Sequence, residues 1–336
     1  MCLPRKTISP PRPRLQFAGR NSPVQFITSE FWHLAILPKP AYSRCEDMNM
    51  RLRLAKISCF ALTLFLVPAF AGNDKNYTYL ALGDSVAFGL NPLLIGPFPQ
   101  PPASADKYVV YPEIVASIEH LAQSKKEVNA SCPGETSGSF LGLTAQDLGC
   151  NSYHYDPLAF PFREIGLHTN YTGNQMDFAI SELKSNKHIN LVTLGIGSND
   201  VLLALGTCGP GCVPGALPSF AANLTTILSR IREVYSGTLI LVLYYSPGPA
   251  FDDITMALNM VTTDVANGVS AAQPSLPPIK FADGFNAFKA FGSDACSAGL
   301  VIPIPGTSPV QCDIHPTKLG QAILAAAVEA AKASQP

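Results

Sequence analysis

Beyond residue 72 the chain alternates short apolar runs with longer amphipathic stretches. The runs Tyr79–Leu82, Glu127–Ala130, Ile189–Ile196, Thr238–Tyr244 and Ile279–Ala282 are rich in Val, Ile, Leu and Tyr, and most are continuous rather than alternating. Such runs suit parallel strands buried on both faces. Helical stretches fall at 110–123, 173–185, 218–235, 252–271 and 316–333, the last Ala-rich and opened by His-Pro-Thr. Strand and helix in alternation predict an α/β fold, a three-layer α/β/α sandwich. The Pro- and Gly-rich stretches 91–106 and 205–217 are predicted to be loops. No repeat or linker divides 72–336, so one domain is expected there.

The front of the chain follows a different pattern. Residues 57–71, ISCFALTLFLVPAFA, form an apolar run preceded by Arg51, Arg53 and Lys56 and closed by Ala69-Phe70-Ala71. That run is short for a bilayer-spanning helix. The charged start, apolar middle and A-x-A exit predict a signal peptide at 48–71, cleaved near Ala71, with an uncleaved anchor as the alternative. No other segment reads as a span. Residues 1–47 are expected to be an over-extended or disordered N-terminus. Charge divides at the same place: residues 1–71 carry 10 basic against 3 acidic residues, and 72–336 carry 13 against 21. The mature body is therefore acidic and has no basic stripe, which argues against nucleic acid as a partner. Charged residues make up only 14% and apolar ones 47%, which excludes a disordered chain.

Setting aside Cys2, Cys45 and Cys59 leaves Cys132, Cys150, Cys208, Cys212, Cys296 and Cys312. An even number in an exported chain predicts disulfides. Sequence proximity favours 132–150, 208–212 and 296–312. No Cys-x-x-Cys pair suggests zinc, and no metal is expected.

The chemistry concentrates where strands end. YLALGDSVAFG places Ser85 just past a strand, where ligands bind in open parallel sheets and where a turn serine can serve as a nucleophile. EVNASCPGETS places Gly134, and TLGIGSND places Asn199, beyond two further strands. CDIHPTKLG places His315 just before the last helix. With these four blocks in this order, the chain resembles the SGNH (GDSL) hydrolase family over about residues 77–333. The resemblance implies a flavodoxin-like sandwich with five parallel strands. It implies Ser85 as nucleophile, His315 as general base and then acid, and an oxyanion hole made of Ser85 N–H, Gly134 N–H and the Asn199 side-chain amide. Glycine at 134 would let the backbone approach the substrate, and a bridge from Cys132 would brace that loop. The family places its acid three residues before the histidine, which here is Cys312, whereas Asp313 lies two before. Asp313 is expected to be the triad acid that orients His315, with a backbone carbonyl near Cys312 as the alternative. Asp84 and Asp200 are expected only to support local loops.

The expectation is a secreted or periplasmic serine ester hydrolase, of esterase or lipase type, acting on a small-molecule or lipid ester. It is expected to need no cofactor, to have no stable membrane span after cleavage, and to be a monomer. The apolar start of 91–106 tilts the reading toward acyl chains. The alternatives are a carbohydrate deacetylase of acetyl-xylan type and a non-catalytic cell-surface binding protein on a hydrolase scaffold.

Overall fold

A computed structural model describes residues 77–95, 103–121, 127–151 and 161–334. The leader expected at 48–71 and the segment 1–47 lie outside the described residues. Strand β1 (Tyr79–Gly83) runs straight into the short helix α1 (Ser85–Phe88). Helix α2 (Tyr111–Ile118), strand β2 (Glu127–Asn129) and helices α3 (Ser137–Leu141), α4 (Phe162–Ile165) and α5 (Gln175–Ser185) follow. Next come β3 (Leu191–Gly195), α6 (Ser198–Cys208), α7 (Val213–Arg232), β4 (Thr238–Leu243) and α8 (Asp252–Ala272). The chain ends with β5 (Lys280–Asp283), α9 (Gly284–Lys289), β6 (Val301–Pro303), β7 (Cys312–Pro316) and α10 (Lys318–Ala333).

β1 to β5 form one parallel sheet in the order β2-β1-β3-β4-β5, the flavodoxin-like order, and β6 and β7 form a separate antiparallel pair. Every residue of β1 and β3 is buried, as their unbroken apolar runs require. Alternate side chains feed two cores. Leu80, Leu82, Val192, Leu194, Leu239 and Leu241 pack with residues of α5, α7 and α8 on one face. Tyr79, Ala81, Leu191, Ile240, Val242 and Ala282 pack with residues of α2, α9 and α10 on the other. A third cluster around Phe88, Tyr108, Cys132, Cys150 and Phe162 carries the insertion after α1. Leu94 and Ile95, the described apolar start of that insertion, pack against this cluster.

Two expectations are corrected. The stretch 205–217 is not a loop: α6 continues to Cys208, a 3-10 turn spans Gly209–Cys212, and α7 begins at Val213. Pro210 and Pro214 sit in the first positions of their helical segments, where a missing N–H breaks no bond. The helical stretch Ser198–Arg232 is also long and apolar enough to cross a membrane by length and composition. It is interrupted at the 3-10 turn, and α7 buries Leu224, Ile227, Leu228 and Ile231 in the first core, as a helix of a globular domain does.

The three disulfides join Cys132 to Cys150, Cys208 to Cys212 and Cys296 to Cys312. The first braces the segment after β2. The last ties β7 to the turn before β6, and the second closes the elbow between α6 and α7.

Candidate active site

At the carboxyl ends of β1 and β3 a glycine is obligatory on one strand. Gly83 pairs with Gly195, and its φ is +139°. A Cβ at Gly83 would lie 2.2 Å from the Gly195 carbonyl oxygen. The next residue, Asp84, donates its N–H to that carbonyl and caps α1 by accepting Val86 N–H at 3.0 Å. Ser85 is thereby the first residue of a four-residue helix. The far end of that helix is held by side chains. Gln321 of α10 donates to Val86 O, Asn129 of β2 donates to Ala87 O, and Gly89 closes the helix in the left-handed conformation.

Ser85 Oγ lies 2.9 Å from His315 Nε2, and His315 Nδ1 lies 2.5 Å from Asp313 Oδ1. The same carboxylate oxygen accepts His315 N–H at 2.9 Å. Asp313 thus reaches the imidazole by a local turn within β7, whose pairing with β6 is irregular. The carboxylate, and not a carbonyl near Cys312, faces the ring. Burial raises the Asp313 carboxyl, but the His315 charge and hydrogen bonds outweigh it and hold the group below its ordinary value. Tyr245 Oη donates to Ile314 O at 2.6 Å, fixing the residue between the two, and its ring stacks on Phe288.

Gly134 sits in a turn after β2 at φ +81°. A Cβ there would come within 2.3 Å of the Leu148 carbonyl, so the neighbouring loop by itself already requires a glycine. Among the described residues, neither the Ser85 nor the Gly134 N–H donates to a protein acceptor. Asn199 lies in the first turn of α6 and donates from Nδ2 to Glu135 O at 2.9 Å. Cys132 N–H donates to Gly83 O, which draws the turn bearing Gly134 onto the end of β1. The structure therefore brings together Ser85, Gly134, Asn199, His315 and Asp313.

Several supporting residues escaped the sequence reading. Glu135 is fully buried; it accepts Ser139 Oγ at 2.6 Å and Gln175 Nε2 at 3.0 Å. The same Gln175 amide grips both polar groups of Gly83. Asp200 does more than support its own loop: it takes Ser137 N–H and Oγ–H, joining the first turn of α6 to α3. Asp84 accepts Ser198 Oγ and Tyr244 Oη as well as Val86 N–H. His168, expected as a scattered packing residue, places Nε2 3.0 Å from Phe88 O at the end of α1. Cys132, Glu135 and Cys150 lie close enough to suggest a cation site, but the two sulfurs are joined and offer no thiolate.

No family model matches the chain, and no curated protein matches it. Solved structures similar in fold include an acetylxylan esterase from Geobacillus stearothermophilus, at 15% identity over 78% of this chain and 97% of that one, with a TM-score of 0.46. A phospholipase A1 from Streptomyces albidoflavus NA297 matches at 15% identity over 76% and 99%, with a TM-score of 0.47. A lipase from a goat rumen metagenome matches at 16% identity over 76% and 97%, with a TM-score of 0.41.

Burial pushes the Glu135 carboxyl from 4.5 up to about 7, against the hydrogen bonds from Ser139 and Gln175; Asp147 adds to the rise and Arg163 opposes it. Between those two pH values the folded chain keeps a proton that the unfolded chain releases. This group therefore makes the fold less stable as pH rises through that window, by at most about 1.4 kcal/mol per unit. Urea unfolding of Glu135→Gln from pH 4.5 to 7 should show a shallower decline in stability than the parent. Equal slopes in the two proteins would place the Glu135 proton elsewhere.

Proposed function

We propose that the chain is a serine ester hydrolase of the SGNH type, working through an acyl-enzyme on Ser85. The observation that carries this reading is the continuous line from Ser85 Oγ through His315 Nε2 and Nδ1 to Asp313 Oδ1, at 2.9 and 2.5 Å. A serine hydroxyl alone is a weak nucleophile, and a base within hydrogen-bond reach, itself oriented by a carboxylate, is what activates it. A binding module on the same scaffold has no need of this alignment.

In the proposed cycle Ser85 Oγ attacks the ester carbonyl carbon while its proton passes to His315 Nε2. Asp313 stabilises the imidazolium and keeps the Nδ1 proton directed at itself, leaving Nε2 free to accept. The carbonyl oxygen becomes an oxyanion, met by the Ser85 and Gly134 N–H groups and by the Asn199 amide. Collapse expels the alcohol, which takes the proton from His315, and leaves an acyl group on Ser85. Water then repeats the sequence: it gives its proton to His315, attacks the acyl carbon and releases the acid with Ser85 restored. We place the protein in a secreted or periplasmic setting, supported by its three disulfides, and take 72–336 as the hydrolase domain.

A panel of p-nitrophenyl esters from acetate to palmitate, with acetylated xylan alongside, tests the activity and separates acyl-chain hydrolysis from carbohydrate deacetylation. Ser85→Ala should abolish turnover without altering the thermal midpoint by more than a few degrees. Activity above a few per cent of the parent would remove Ser85 from the nucleophile role. Asp313→Asn should cut kcat by roughly 10²–10⁴-fold, since it takes away the charge that stabilises the imidazolium. A loss below about tenfold would reduce the site to a Ser-His pair.

A further inference from the structure

Asp84 is fully buried beside both Ser85 and Asn199, and the donors around its two oxygens are unequally divided. Oδ1 takes the Val86 N–H. Oδ2 takes the Ser198 hydroxyl at 2.6 Å and the Tyr244 hydroxyl at 2.5 Å, while Asn199 Nδ2 lies 3.5 Å from that same oxygen. The other neighbour of Nδ2 is the Glu135 carbonyl at 2.9 Å. Both neighbours are acceptors, so the nitrogen end of the amide must face them. Nδ2 carries two protons. One is committed to the Glu135 carbonyl, and the second has only the long contact to an oxygen already holding two hydroxyl donors. That second proton is the one an oxyanion would require.

We propose that Tyr244, together with Ser198, is a positioning residue that saturates Asp84 Oδ2 and so keeps the Asn199 proton free for the oxyanion. The proposal rests on Asn199 being an oxyanion donor. A buried carboxylate oxygen short of a donor is costly, and the donor best placed to move in is the Asn199 amide, already 3.5 Å away. Removing a hydroxyl from the pair therefore draws the amide onto Asp84. Its proton is then bound in the ground state and must be released in the transition state, which lowers turnover and leaves substrate affinity unchanged. The position of Tyr244 suits this role. Asn259 of α8 brackets its backbone, accepting from Tyr244 N and donating to Tyr244 O, so the hydroxyl is delivered to Asp84 from a fixed point on the end of β4.

The test is a double-mutant cycle of Tyr244→Phe and Asn199→Ala, with kcat and KM measured on p-nitrophenyl butyrate. Tyr244→Phe keeps the ring and should lower kcat about tenfold, less than the roughly 10²–10³-fold expected of Asn199→Ala, with KM within about twofold. In the Asn199→Ala background the tyrosine change should cost less than about twofold, because it acts through the amide. Ser198→Ala should behave in the same way and supplies the reading if Tyr244→Phe does not fold. Additive losses in the double variant, or a rise in KM with kcat unchanged, would overturn the proposal. An Asn199→Ala enzyme with undiminished kcat would overturn it by a different route, by removing the oxyanion role of Asn199 while Ser85 and His315 stand.

Discussion

The contact between Gly83 and Gly195, across the carboxyl ends of β1 and β3, is the constraint on which the site depends. A Cβ at Gly83 would strike the Gly195 carbonyl, and with glycine there the segments that follow the two strands come within reach of each other, Ser198 Oγ donating to Asp84. In the order β2-β1-β3-β4-β5 this junction is also where successive connections leave the sheet in opposite directions, opening a crevice at the strand ends. Ser85 follows β1 and Asn199 follows β3, one on each side of that junction. The turn bearing Gly134 is drawn in by the Cys132 bond to Gly83 O and held by the Gln175 amide, which donates to the Glu135 carboxylate. His315 alone arrives from outside the sheet, on the β6-β7 pair tethered by Cys296–Cys312.

The supporting polar groups follow from strand geometry. Tyr244 and Tyr245 follow β4 in succession, so their side chains leave on opposite faces. Tyr244 joins the first core and reaches Asp84, while Tyr245 joins the second and reaches the Ile314 carbonyl. One tyrosine thus reaches the Asp84 side of the site and the other the His315 side. Each buries a large ring and delivers a hydroxyl to a polar partner, the usual condition for a buried tyrosine.

Much of this architecture was legible in the sequence. The five strands stood out because parallel strands buried on both faces must be apolar throughout, and near neighbours among the cysteines proved to be the bonded pairs. Ser85, Gly134, Asn199 and His315 were picked out as candidates by their places after strands and by the family resemblance that their four blocks carry. What the sequence concealed was polar and non-local. Glu135 and Gln175 are forty residues apart and meet only through the fold. Tyr244 reads as the tail of an apolar run, and its hydroxyl has no partner until β1 lies alongside β3 and β4. The α6–α7 elbow was hidden because proline and glycine signal loops unless they stand at helix starts, and only the hydrogen bonds distinguish the two. The spacing of Asp313 from His315 favoured the carboxylate without deciding for it, since an extended segment and a local turn place that group differently.

The proposed hydrolase activity requires Ser85 to be made nucleophilic by His315 and Asp313. Incubating the native protein with a fluorophosphonate, followed by intact-mass and peptide-mapping analysis, tests this most directly, because the reagent modifies serines activated in this way and leaves ordinary ones alone. One phosphonyl adduct per chain is expected, on Ser85, and none after heat denaturation or in a His315→Ala variant. An unmodified native protein, or an adduct on any other serine, would contradict it.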